Sequence, residues 1–308
     1  MATMILHSSL LSLTSATKIT SLSNAAVRSD SSPSGPISPV AVAVPHQSLT
    51  PSLLCSCGRR HLIQACATAL LPISPSHATP LLSDSTAMLN RVHPPRPDWY
   101  EELYAAVLDK GMEAYESEIA GYKSQLFSNL RGKAKKVLEI GIGTGPNLKY
   151  YANGTDIEVF GIDPNMKMEK YAKAAAVASG LPPTNFKFIH AVGEALPLSD
   201  AAVDAVVGTL VLCSVKDVDA ALKEVKRVLK PGGLYLFVEH VAARDGTVLR
   251  FLQNVLDPLQ QTVSDGCHLT RETGKHISEA GFSGVNISST LLRNASFASP
   301  HVYGIACK

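Results

Sequence analysis

From residue 135 onward, short apolar runs alternate with stretches whose apolar residues recur every three or four positions. The runs over 135–141, 157–163, 185–191, 203–211, 234–241, 282–290 and 301–307 predict seven strands. The intervening stretches over 147–152, 166–179, 218–229 and 271–280 predict helices. Several strands, such as Val203-Asp-Ala-Val-Val and Leu234-Tyr-Leu-Phe-Val, are apolar almost without interruption. A strand buried on one face must alternate, whereas a strand covered on both faces need not; these runs therefore point to a parallel sheet between two helical layers. Asp217 is placed to cap the helix starting at Val218, and Lys230-Pro-Gly-Gly233 ends it and turns into the next strand. The fold class predicted is α/β, a doubly wound, mostly parallel seven-stranded sheet.

Upstream, Leu103, Val107, Met112, Tyr115, Ile119, Tyr122 and Leu126 recur at helical steps, predicting two helices broken near Gly111 or Gly121. These N-terminal helices either cover a ligand cleft, pad the sheet, or do both. Pro94, Pro95 and Pro97 mark residues 79–98 as an irregular linker ahead of a domain over 99–308.

Composition separates the first 78 residues from the rest. Residues 1–60 hold 19 Ser or Thr and one acid, Asp30. Hydroxyl-rich and acid-poor, this stretch resembles a plastid transit peptide. Arg59-Arg60, the apolar run over 62–73 and Ser76-His77-Ala78 resemble in turn a twin-arginine signal for the thylakoid lumen, making the presequence potentially bipartite. The expected location is thus the chloroplast, stroma or lumen. The run over 62–73 is too short, and too broken by Pro72, for a stable membrane span, so any membrane contact is expected to be peripheral. The remaining chain has 24 Lys and Arg against 25 Asp and Glu and no basic run, which argues against nucleic acid as a partner. Cys213, Cys267 and Cys307 show no metal-ligand spacing along the sequence, so no metal site is expected.

The first strand runs into Gly141, Gly143 and Gly145, with Glu139 two residues upstream and Pro146 following. A dinucleotide loop spaces its glycines G-x-G-x-x-G. Here they fall at every second residue, and this E-x-G-x-G-x-G pattern resembles motif I of the class I S-adenosylmethionine-dependent methyltransferases. Asp163 closes the second strand, where a carboxylate can accept both ribose hydroxyls of an adenosine cofactor, an arrangement worth about 1.5–3 kcal/mol. The resemblance implies S-adenosylmethionine as the cofactor and a strand order 3-2-1-4-5-7-6 with the last strand antiparallel. It implies that Glu139, Gly141, Gly143, Gly145, Asp163, Pro164, Asn165, Gly193, Glu194 and Leu210 form the cofactor site. Val192 stands where many relatives have an Asp for the adenine amine, leaving that contact to backbone near Gly193. The simplest role of Glu194 is to tie down its loop, and Cys213 reads as a small buried apolar residue.

Four further segments narrow the likeness: 209–215 with Cys213, 238–241 with His240, 265–272 (Asp-Gly-Cys-His-Leu-Thr-Arg-Glu), and Pro300-His301. Together they resemble the subfamily that includes the animal membrane-associated alkyl-thiol methyltransferases. This implies methyl transfer to a small, fairly apolar acceptor, with thiol S-methylation favoured. The alternatives are O- or C-methylation of a quinone-like ring, or a cofactor-binding protein without transferase activity. His240 and His268 are the candidate bases, each with a plainer reading: a hydrogen bond at a strand end for one, an exposed loop for the other. Asp265 and Arg271 are expected to pair, Thr270 to cap the following helix, and His301 to face the acceptor side.

Overall fold

The computed structural model describes residues 81–151 and 157–308; the expected presequence lies outside them, as do the side chains of 81–84. Three helices come first: α1 (Leu81–Val92), α2 (Asp98–Gly111) and α3 (Glu113–Ser128). The sheet then alternates with helices: β1 (Lys136–Ile140), β2 (Glu158–Asp163), α4 (Met168–Ala178), β3 (Phe186–His190), β4 (Val203–Thr209), α5 (Val218–Val228) and β5 (Leu229–His240). The chain closes with α6 (Val248–Val263), α7 (Thr273–Glu279), β6 (Gly284–Leu291) and β7 (Pro300–Cys307). The strand order is β3-β2-β1-β4-β5-β7-β6, with β7 antiparallel to both of its neighbours. The fold class is the one the apolar pattern predicts, and the strand order is the one the resemblance implies.

Continuous apolar runs work because successive side chains of a strand enter opposite cores. Val137, Val207, Leu236 and Val238 pack on one face with Tyr115, Ile119 and Leu126 of α3 and Ala172 of α4. Leu138, Val206, Tyr235 and Phe237 pack on the other with Val218, Leu222 and Val225 of α5 and Ile277 of α7. Asp217 caps α5 as expected, its side chain accepting from Ala220 N at 3.0 Å. No helix among the described residues is long and apolar enough to cross a membrane.

Three expectations need correction, and one helix was not anticipated. The irregular linker shrinks to 93–97, because 81–92 contains no Pro or Gly and forms α1; only the proline cluster stays extended. The helix expected over 147–152 is a single 3-10 turn, Leu148–Tyr150. Thr270 does not cap α7, which begins at Thr273 behind Glu272. Helix α6 carries its pattern inside out: Val248, Phe251, Val255 and Leu259 are 59–77% exposed, while Gln253 and Gln260 are buried. Gln253 accepts from Ala243 N at 2.7 Å and donates to Phe297 O at 2.9 Å, which satisfies the buried amide.

Candidate active site

All five parallel strands point their carboxyl ends to one edge, where a ligand cleft is expected at the switch in strand order beside β1. A cleft open to solvent lies there. Its floor is Gly141, Gly143, Asp163 and Pro164, and one side is Ala191, Val192, Gly193 and Glu194. The β4 exit supplies Leu210, Val211, Ser214 and Val215. The roof comes from the N-terminal helices, through Val92, His93, Tyr104 and Leu108. Helices α1 and α2 therefore cover the cleft, while α3 pads the sheet.

The three glycines of the loop have left-handed backbone, at φ +63°, +53° and +83° for Gly141, Gly143 and Gly145. Their surroundings divide the labour. A side chain at Gly141 would strike Val211 Cγ2 at 2.7 Å, and one at Gly145 would strike Leu148 Cδ1 at 2.7 Å and Ala175 Cβ at 3.1 Å. At Gly143 it would meet nothing within 4 Å. Gly143 leaves room for a ligand; Gly145, which is not among the described lining residues, lets the loop pack on α4. Glu139 is also behind the loop, accepting from Asn147 Nδ2 at 2.8 Å and Tyr151 OH at 2.7 Å. Burial raises its pKa to about 7 against those two donors.

Asp163 sits at the centre of the floor and is 7% exposed. Its two oxygens accept from Gly143 N and Asn165 N, both at 2.9 Å. Burial pushes this carboxyl up to about 7, the two backbone donors opposing it and the charge of Asp265 adding to it. Asn165 itself turns away, donating to Glu101 O of α2 at 3.0 Å. Glu194 reaches the cleft and ties down the neighbouring loop, accepting from Lys216 N at 2.6 Å. Leu210 holds φ +54° and Asp265 φ +52°, left-handed backbone without glycine, at a cost of order 1–3 kcal/mol each. Both line the cleft. The β4-exit backbone is clamped by Glu239 Oε1, which accepts from Val211 N and Leu212 N at 3.1 Å, and by Arg271 Nη1, which donates to Leu212 O and Val215 O at 2.7 Å.

Arg271 is thereby spoken for, and Asp265 has other partners than the one expected. His93 Nε2 meets its carboxylate at 3.0 and 3.2 Å, and Arg96 Nη2 meets it at 3.0 Å. This pairing straps the proline segment after α1 across the cleft. Burial pulls the His93 imidazole down, but the hydrogen bond and charge of Asp265 outweigh it and leave its pKa raised. His93 and Tyr104 escaped the sequence reading; their signal was weak, a histidine among prolines and a tyrosine on a covering helix. His240 and His268 are not among the described residues lining the cleft. His240 is 2% exposed with Nε2 3.1 Å from Cys267 Sγ, and His268 is part-exposed beside Asp257 at 3.4 Å. His301 is buried too, bonded to Tyr115 OH at 3.2 Å.

The arrangement fits an adenosine cofactor: a buried acid at the end of β2, a glycine with open space above it, and an apolar side wall. A protein-family model described as a methyltransferase domain matches residues 138–237. The thiol S-methyltransferase TMT1A of Homo sapiens is 41% identical over 201 residues, covering 63% of this chain and 81% of that protein. The chain belongs to the class I S-adenosylmethionine-dependent methyltransferases, in the family of the TMT1 thiol S-methyltransferases. TMT1B of Rattus norvegicus is 39% identical over 207 residues, covering 65% of this chain and 82% of its own. Among solved structures, a chain of the Haloferax volcanii complex of the Trm112 methyltransferase activator with a methyltransferase aligns at TM-score 0.53 and 18% identity. That alignment covers 69% of this methyltransferase and 99% of the other chain and speaks for the fold. S-adenosylmethionine is accordingly the methyl donor.

Proposed function

We propose that this methyltransferase S-methylates a small, fairly apolar thiol. The observation that carries the reading is the apolar cleft whose mouth holds a histidine paired to a carboxylate, His93 with Asp265, beside Val92, Tyr104, Leu108 and Val215. When bound, S-adenosylmethionine supplies an electrophilic methyl group for in-line displacement. The chain's part is alignment and deprotonation. Asp163 anchors the ribose end, Gly143 gives backbone clearance, and the strained Leu210 turn fixes the wall beside the reacting centre. The apolar roof favours an uncharged acceptor. His93, oriented by Asp265, takes the acceptor proton; a free thiol has a pKa of about 8.5, so little help is needed. The identity shared with TMT1A and TMT1B supports the same chemistry.

The deciding experiment incubates the full chain with S-adenosylmethionine and a panel of alkyl thiols and quinols, identifying products by mass fragmentation. A thioether from the thiols supports the reading, and a ring methyl from the quinols alone overturns it. We place the reaction in the chloroplast on the composition of residues 1–78. A fluorescent fusion of that segment that stays in the cytosol of plant cells would refute this location.

A further inference from the structure

Four segments carry the subfamily resemblance, and the methyl-transfer cleft uses little of the side-chain chemistry they hold. The fold brings them together. Cys213 from the β4 exit, His240 from the end of β5 and Cys267 from the loop after α6 place their ligand atoms within 4.8 Å of one another. His301 stands next to this group, its ring centroid 6.3 Å from that of His240. Cys213 and Cys267 are fully buried free thiols and His240 is 2% exposed. Spacing along the sequence does not reveal the group, because the ends of β4 and β5 and the loop after α6 bring residues far apart in the chain to one edge.

We propose that Cys213, Cys267 and His240 bind a soft divalent cation, Zn²⁺ being the natural candidate, behind the wall of the cleft. Zn²⁺ bound at about 2.3 Å to sulfur and about 2.0 Å to nitrogen holds tetrahedral sulfur and nitrogen donors about 3.5 Å apart. The observed separations, 3.1 Å for His240 Nε2 to Cys267 Sγ and at most 4.8 Å across the trio, bracket that spacing. Sulfur and imidazole donors select Zn²⁺ over hard cations. Two thiolates and a dication cancel in charge, which suits a site with no exposed face. The cation displaces two thiol protons to solvent and gains two metal–sulfur bonds and one metal–nitrogen bond, with no change of oxidation state. Gln260, with Nε2 3.7 Å from Cys267 Sγ, is placed as an outer donor to the bound thiolate.

Such a site would staple three elements. Two of them line the cleft, through Leu210, Val211, Ser214 and Val215 on one and Asp265 on the other, so the metal acts on the reaction by positioning rather than by touching the acceptor.

The test uses the full chain with Cys55, Cys57 and Cys66 replaced by Ser, purified under reducing conditions and offered Zn²⁺. Metal analysis is expected to find one Zn²⁺ per chain, and X-ray absorption two sulfur neighbours at about 2.3 Å with at least one nitrogen. Adding Cys213→Ser and Cys267→Ser is expected to remove the metal while S-adenosylhomocysteine still binds. Should that variant not fold, the absorption spectrum of the chain retaining both cysteines decides by its sulfur count. A metal-free chain, a bound metal with no sulfur neighbours, metal retained after both replacements, or a Cys213–Cys267 disulfide in the reduced preparation would each overturn the proposal.

Discussion

Replacing Asp163 by Asn separates what the residue does for the cofactor from what it does for the fold. The carboxylate, once ionised, can accept both ribose hydroxyls; the amide keeps one acceptor and offers a donor where none is wanted. Losing that charge-assisted contact removes about 1.5–3 kcal/mol, so affinity for S-adenosylhomocysteine falls roughly 10- to 150-fold. Stability moves the other way. Burial lifts the pKa from 3.8 to about 7, so the folded state holds a proton that the unfolded state releases. Stability from this group is therefore present at low pH, declines as pH rises from about 4 to about 7, and stays low above. The full shift corresponds to something on the order of 4 kcal/mol. Mismatch of the amide with Gly143 N or Asn165 N returns part of that, about 1–2 kcal/mol. Asp163→Asn is thus expected to raise Tm at pH 8 while weakening the ligand. Calorimetric titration and thermal melts at pH 6 and pH 8 read both. In the unaltered protein, affinity should rise over that interval as Asp163 ionises, and in the variant this contribution should vanish. Unchanged affinity in a folded variant would refute the placement of the ribose, and a lower Tm at pH 8 would refute the account of the buried charge.

Gly145→Ala combines left-handed strain with contacts of 2.7–3.2 Å to Leu148, Ala175 and Ala172, and is expected to cost about 2–4 kcal/mol in urea unfolding. Gly143→Ala, with free space around it, is expected to be milder in stability and to show its main loss in cofactor affinity. Asp265→Asn removes the charge that does most to offset burial of His93, so its pKa, followed by NMR titration, is expected to fall. A raised value retained in that variant would break the strap argument. On α6, Phe251→Ser is expected to leave stability within about 0.5 kcal/mol, whereas Gln253→Leu strands Ala243 N and Phe297 O and costs about 2–3 kcal/mol.

The legible parts of the chain are those where one local rule acts alone. Strands buried on both faces announce themselves as apolar runs, and the loop at Gly141–Gly145 reads correctly because left-handed backbone asks for glycine. Asp163 is recognisable from its place at the end of β2. Helix α6 is not among the predicted helices although Val248, Phe251, Val255 and Leu259 recur at helical steps, and what the sequence does not tell is that this stripe faces out while Gln253 and Gln260 face in. Asp265 was assigned its near neighbour Arg271, yet its partner His93 lies 172 positions away; proximity in sequence says little about which charge the fold delivers. The same long-range delivery gathers Cys213, His240 and Cys267, and hid the part of the site walled by His93 and Tyr104.

The roof of the cleft has a practical corollary for anyone shortening this protein. A fragment cut to begin at Lys136 keeps the glycine loop, Asp163 and all seven strands, and would pass for a whole methyltransferase by its motifs. It would nevertheless lack the core side of the sheet, since Tyr115, Ile119 and Leu126 of α3 would be gone, and it would lack the covered cleft, since Val92, His93, Tyr104 and Leu108 would be gone and Asp265 would have lost both of its cationic partners. The working unit of this enzyme starts upstream of its recognisable signature, because the upstream residues line its cleft.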